Sequence, residues 1–252
     1  MKFGSTAGAG VDRLKVLVYG VAGAGKTRLA ATTGDLPGTF IISVEGGLLS
    51  LRGESIDCVE VDSIIDMRRL LTKLASTNKY RWVILDSISE IAEVCLTEEM
   101  GRTKDGRAAY GEMATAIKSM LRGFRDLPFH VVMIAKQERA QTESGAMLYG
   151  PSMPGKTLTQ GIAYMFDEVF ALRVSKSADG STVRELQTQP DGVYDCKDRS
   201  GSLAAYEPPS LAAIAAKILG AVPATQAPNA GSSESADESD SNDNHETNEE
   251  AA

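Results

Sequence analysis

The stretch Leu14–Thr27, LKVLVYGVAGAGKT, decides the fold: an apolar run, Val16-Leu17-Val18-Tyr19, leads into a glycine-rich turn that closes on Lys-Thr. Such a run reads as a strand buried on both faces, and Arg28 to Thr33 as a helix stopped by Gly34. The spacing Gly20, four residues, Gly25, Lys26, Thr27 fits the phosphate-binding loop. Glycines there let the backbone N–H groups of Gly20, Val21, Ala22, Gly23, Ala24 and Gly25 turn inward around an anion without a Cβ clash. A helix starting near Lys26 points its positive end at the same anion, with Arg28 in its first turn. The Lys26 ammonium would reach the β- and γ-phosphates and the Thr27 hydroxyl would enter a Mg²⁺ shell, so the ligands implied are ATP and Mg²⁺.

The 252 residues, 42% of them hydrophobic, suffice for one α/β domain with tails. The net charge of -8 is localised. Residues 231–252 hold eight Asp or Glu and no Lys or Arg, leaving 26 acidic against 26 basic side chains elsewhere, so the folded part is not expected to repel polyanions. Cys58, Cys95 and Cys196 are odd in number and widely spaced, which supports neither a disulfide framework nor a metal cluster, and each is expected to be reduced and packed. With only His130 and His245, histidine-based metal or triad chemistry has little material. No apolar leader or run near 18 residues is present, so the reading is a soluble cytoplasmic protein with no membrane partner.

Residues 1–12 read as a flexible lead-in, 13–220 as the folded core and 221–252 as a disordered acidic tail. Within the core, strands are expected over Thr39–Val44, Ile56–Val61, Arg81–Asp86 and Phe129–Ala135, with helices between them: one opened by Asp62 or Ser63, one from about Ile88 to Met100, one from about Ala108 to Arg125. Gly101 to Tyr110 and Lys136 to about Gly161 read as loops. Glu168–Ser175, Thr182–Gln189 and Val193–Lys197 read as short strands separated by Asp-Gly turns, an antiparallel edge on a parallel sheet, and Ser210–Leu219 as a last helix.

The rest of a nucleotide site can be sought at strand ends. Asp86 closes VILD, the strand expected beside the phosphate loop, where a carboxylate would face Mg²⁺; it also fits as a helix cap, which Ser87 would share. Glu45 ends the second strand before Gly46-Gly47, where a carboxylate can orient or deprotonate an attacking water. Gln137 closes FHVVMIAKQ, where an amide can contact the γ-phosphate and report its loss to the following loop.

The order of these parts resembles the RecA-type ATPase core: a phosphate loop, Glu-, Asp- and Gln-terminated strands, and a C-terminal antiparallel edge. More narrowly the chain resembles the bacteriophage RecA-like ATPases of single-strand annealing and recombination, labelled phage nucleotide-binding or AAA proteins, on GVAGAGKT, RWVILDS, AAYGEMATAIKSMLRGFRDLP and GPSMPGK, over about Leu14 to Leu203. The resemblance implies an α/β, RecA-like P-loop NTPase with a mainly parallel central sheet flanked by helices. It also implies an ATPase that acts on single-stranded DNA as a homo-oligomer, ring or filament, in a bacterial host cytoplasm, with a single-strand-binding protein as a further candidate partner.

In the same way Lys26, Thr27, Asp86 and Glu45 fall in the ATP site, with Gln137 as sensor. Lys197 and Arg199, in CKDRSGSL, resemble the Lys-x-Arg segment that hexameric helicases present to the neighbouring subunit's γ-phosphate, although a solvated basic hairpin end has the same appearance. Two loops of the resembled core hold single-stranded DNA. They correspond to Gly101–Tyr110, with Arg102, Lys104, Arg107 and Tyr110, and to Glu138–Gly161, with Arg139, Tyr149 and Lys156; cations track phosphates and rings stack bases. Asp105, Glu138 and Glu143 oppose that reading. The tail reads as a solubilising extension or as a polyanion competing for those loops. A helicase-like or packaging motor, a nucleoside kinase and a non-hydrolytic nucleotide-gated mediator stay open as alternatives.

Overall fold

Alternation along the buried strands builds a three-layer molecule. On β1 (Lys15–Gly20), Leu17 and Tyr19 face one core while Val16 and Val18 face the other. The pattern repeats on β4 (Trp82–Asp86), with Val83 and Leu85 opposite Trp82 and Ile84, and on β5 (His130–Gln141), with Val131 and Met133 opposite Val132 and Ile134. A strand apolar on both sides must be covered on both sides. Helices α1 (Ile64–Ala75), α2 (Ile88–Arg102), α3 (Gly106–Arg125) and α4 (Lys156–Ile162) cover one face. A 3-10 turn (Thr27–Thr32) and α5 (Leu211–Gly220) cover the other.

The structure is a computed structural model that describes residues 12–141 and 145–220, all within one compact unit. The expected lead-in, apart from Asp12, the expected acidic tail over 221–252 and Glu143 lie outside the described residues. The remaining strands are β2 (Thr39–Ser43), β3 (Asp57–Glu60), β6 (Met147–Pro151), β7 (Glu168–Lys176), β8 (Thr182–Gln187), β9 (Lys197–Asp198) and β10 (Tyr206–Glu207). They form a 10-stranded sheet in the order β10-β8-β7-β1-β5-β4-β2-β3, with β6 on β5 and β9 on β7. From β7 to β3 the sheet is parallel; β6, β8, β9 and β10 pair antiparallel. This is the α/β fold of the P-loop NTPases, with antiparallel edge strands as expected.

Five local expectations are corrected. The strand carrying Asp86 is not beside the phosphate-loop strand, because β5 lies between β1 and β4. The segment after Lys26 is a 3-10 turn rather than an α-helix: only a few residues separate it from Gly34, at φ 74°, and Thr32 donates its hydroxyl to Leu29 O at 2.7 Å. The expected basic loop shrinks to residues 103–105, since the Asp105 side chain caps α3 by accepting from the N–H groups of Arg107 and Ala108. The expected long loop is a hairpin, with β5 running on to Gln141 and β6 returning beside it. Residues 137–141 and 147–150 are partly or wholly exposed and so lack apolar alternation. Finally, Val193–Lys197 is not a strand. The Asp191 carboxylate holds the N–H groups of Val193 and Tyr194 at 2.9 and 2.8 Å, and pairing with β7 begins only at Lys197. Cys95 and Cys196 are packed as expected, whereas Cys58 is exposed on the edge strand β3.

Where β7 enters the sheet, Glu168 is 2% exposed and its Oε2 meets no donor among the described residues. Burial, reinforced by the Asp198 carboxylate, pushes its carboxyl up from 4.5 to about 7. The folded chain therefore holds a proton that the unfolded chain releases, and this group's stabilisation falls as pH rises through 4.5 to 7, by up to about 1.4 kcal/mol per pH unit. His130 works the opposite way: its Nδ1 accepts from Leu14 N at 3.1 Å, and burial, helped by Arg13, Arg81 and Lys15, lowers it to about 4. Its contribution is present above 6.5 and lost as pH falls toward 4. We therefore expect the unfolding free energy of wild type minus that of Glu168→Gln, from urea titrations, to fall steadily between pH 5 and 7; a flat difference refutes the assignment.

Candidate functional site

The phosphate loop hangs from the end of β1 at a point with no room for a side chain. A Cβ on Gly20 would stand 2.7 Å from the carbonyl oxygen of Leu172 on β7, and Gly25 has φ 99°. Inside the loop the Lys26 ammonium donates to the carbonyls of Gly20 and Val21 at 2.8 and 2.9 Å. The Thr27 hydroxyl donates to Asp86 Oδ2 at the end of β4. Ser87 caps α2 by accepting from Glu90 N at 3.3 Å and donates its hydroxyl to Glu45 Oε1 at 2.7 Å. Glu45, Asp86, Gln137 and the phosphate loop thus line one cavity of about 580 Å³. Sequence reading drew these parts together from four separate strand ends.

Two further residues of this cavity were missed. Lys136 lines it from the middle of β5 and is ion-paired to Glu90 at 2.5 Å and Glu93 at 3.2 Å on α2. Its position next to Gln137 in AKQ was the available signal. Ser87, read only as a cap, orients Glu45.

The electrostatics suit a charged ligand. Burial, then the nearby Glu45 charge, pushes the Asp86 carboxyl up, against Thr27 and Lys26. Burial likewise pushes Lys26 down, against Asp86 and Glu45. Each charge is under-solvated where it stands, and a polyanion with a divalent cation would relieve both. A hydroxyl and a carboxylate are hard oxygen donors, the set Mg²⁺ takes with few protein ligands, so Thr27 and Asp86 fit that ion. Among the described residues no cluster of three His, Cys, Asp or Glu could hold a metal.

Arg28 is placed differently from expectation. Its guanidinium pairs with Glu54 at 2.7 Å and borders a second cavity of about 360 Å³, across Gly23–Gly25 from the first, with Leu29, Leu172, Arg184 and Pro209. Arg184 on β8 donates from Nε to Ala24 O at 3.0 Å, tying the antiparallel edge to the loop. Lys197 and Arg199 lie where β9 meets the start of β7, the end of the sheet opposite the phosphate loop. The Lys197 ammonium donates to the carbonyls of Ala163 and Phe166, while the exposed Arg199 pairs with Asp167 at 2.6 Å. Neither reaches the phosphate loop of its own chain.

The residues expected to contact DNA divide into three groups. Arg107 and Tyr110 on α3 and Lys156 at the start of α4 line one groove of about 970 Å³. Arg139 and Tyr149 are register partners on the hairpin, on the other face of the strand from Glu138 and Ala140, which line a cavity bordering Lys156. The Tyr149 ring is stacked on Tyr194 at 5.0 Å, with the Arg173 guanidinium 4.4 Å from the Tyr194 ring. Arg102 pairs with Glu99 and, at 3.8 Å, with Glu98, and Lys104 is exposed in the short turn.

Fold and loop together define a P-loop NTPase. The chain belongs to the AAA domain family, which matches residues 12–200, and is thereby a nucleotide-binding ATPase domain. No curated protein matches the chain. No helix among the described residues is long and apolar enough to cross a membrane.

Lys26→Ala removes one charged hydrogen-bond donor from the anion hollow. It should weaken ATP binding by about 2–3 kcal/mol, roughly 30- to 150-fold. Calorimetric titration checks this; wild-type affinity refutes the role.

Proposed function

We propose that the protein is a RecA-like, Mg²⁺-dependent ATPase that binds single-stranded DNA in the groove between α3 and α4 and promotes strand annealing or pairing in recombination, working as a homo-oligomer. The observation that carries this reading is the convergence of Arg107, Tyr110 and Lys156. They come from two segments well apart in sequence and meet in one groove, and Lys156 lies on the chain that leaves the nucleotide cavity at Gln137 and returns along β6. Two cations for phosphates and an aromatic ring 42% exposed are what sequence-tolerant single-strand binding requires.

In the nucleotide cavity, Lys26 and the loop amides hold the β- and γ-phosphates, and Glu45, fixed by Ser87, orients and deprotonates the attacking water. Bound through Thr27 and Asp86, Mg²⁺ would neutralise charge on the triphosphate. The cavity beside Arg28 and Arg184 has room for base and sugar. Gln137 contacts the γ-phosphate and transmits its loss along the hairpin. Because Lys197 is already held by two carbonyls, the charge offered to the next subunit's γ-phosphate falls to the exposed Arg199, with Lys197 fixing the segment's position. An arginine supplied in trans can contribute about three to five decades in rate.

Turnover with and without a single-stranded oligonucleotide tests this reading. Glu45→Gln should bind ATP normally and lose about 10²–10⁴ in rate. Arg199→Ala should be equally silent alone yet recover turnover when mixed with Lys26→Ala, since each supplies what the other lacks. Lys156→Ala and Arg107→Ala should each lower the salt slope of oligonucleotide binding by about one, and Tyr110→Ala should weaken it by about 1–3 kcal/mol. No DNA stimulation together with unaffected variants sinks the proposal, and strand separation without annealing favours a motor.

A further inference from the structure

Between the nucleotide cavity and the groove stands one buried hydroxyl. Ser89, 1% exposed near the start of α2, donates to Ser152 O at 2.7 Å and accepts from Lys136 N at 2.8 Å. The triangle is closed by Ser152 N, which donates to Lys136 O at 2.8 Å. Each corner belongs to a different functional part. Ser89 is two residues after Ser87, which orients Glu45, and three after Asp86. Lys136 lines the nucleotide cavity beside Gln137. Ser152 and Met153 lead directly into Pro154, Gly155 and Lys156, which form one wall of the groove.

That wall is itself held at both ends. Thr159 Oγ1 donates to Met153 O at 2.8 Å, and Gly155 lies so close to Tyr110 that a Cβ there would be 3.1 Å from the ring. Ser152 is thus joined, through Met153 and Pro154, to the surface where Tyr110 and Lys156 meet. A buried hydroxyl whose donor and acceptor functions are both engaged cannot follow one partner without straining the other.

We infer that Ser89 is the positioning residue through which occupancy of the nucleotide cavity sets, by way of Ser152, the conformation of the groove wall at Pro154–Lys156. A shift of Lys136 and Gln137 upon nucleotide binding is carried by the Ser89 hydroxyl to the Ser152 carbonyl, and by linkage a ligand in the groove alters nucleotide affinity by the same factor. The inference rests on nucleotide binding in the phosphate-loop cavity; it does not depend on the groove ligand being DNA.

The test is amide hydrogen exchange over residues 152–160 of the full chain, with and without a non-hydrolysable ATP analogue and Mg²⁺, in wild type, Ser89→Ala and Ser89→Thr. In wild type the analogue should change exchange in this segment at least about fivefold, the lower end of ordinary coupling between sites. Ser89→Ala should bind the analogue within a few-fold of wild type and show no change in the segment, while Ser89→Thr, which keeps a hydroxyl, should restore it. An unaltered response in Ser89→Ala, or no response in wild type, overturns the inference. If Ser89→Ala does not fold, Ser89→Cys carries the same criteria with a far weaker donor and acceptor in nearly the same volume. If the wall responds through Ser89 but no oligonucleotide binds, the inference stands and the DNA reading falls.

Discussion

The Thr27 hydroxyl reaches the Asp86 carboxylate across β5, the strand that separates β1 from β4. The bond closes the phosphate loop onto the Asp86 carboxylate at the end of β4. It also places the middle of β5 in the space between loop and acid. Lys136 and Gln137 occupy that space. Any ligand bridging Thr27 and Asp86 must lie against them, and the geometry of the hairpin beyond follows from where those two residues stand.

Such an arrangement is electrostatically expensive until a ligand arrives. Burial works against the charge on both Asp86 and Lys26. The surrounding pairs limit the cost: the Ser87 hydroxyl donates to Glu45, and Glu90 and Glu93 engage Lys136. Opposite charges are thus distributed among four strand ends and one helix, and the rigidity of a sheet buried on both faces keeps them at hydrogen-bonding distance of their proper partners.

Much of this was legible in the chain. The loop, its lysine and threonine, and the acids and amide at strand ends stand out because each follows an apolar run, and a parallel strand must end where its ligand-facing residues begin. The groove was partly legible: Arg107, Tyr110 and Lys156 were singled out, but together with Arg102, Lys104, Arg139 and Tyr149, which the fold sends elsewhere. Nothing in the spacing distinguishes a cation in a groove from one paired to its own helix. That difference depends on the Asp105 cap, which makes the expected loop a helix, and on the hairpin pleat, which turns Arg139 and Tyr149 away from Glu138.

The class of fold and the phosphate loop can be read from the chain alone, because local apolar periodicity and a glycine-lysine-threonine spacing act over a few residues and need no distant partner. That β5 divides the loop from Asp86, that Ser87 serves Glu45, and that Ser89 joins Lys136 to Ser152 emerges only once the strands are packed. Strand order and side-chain partners across dozens of residues are settled by how two covered faces pack, and a serine in a helix's first turn carries no mark of which carbonyl it will meet.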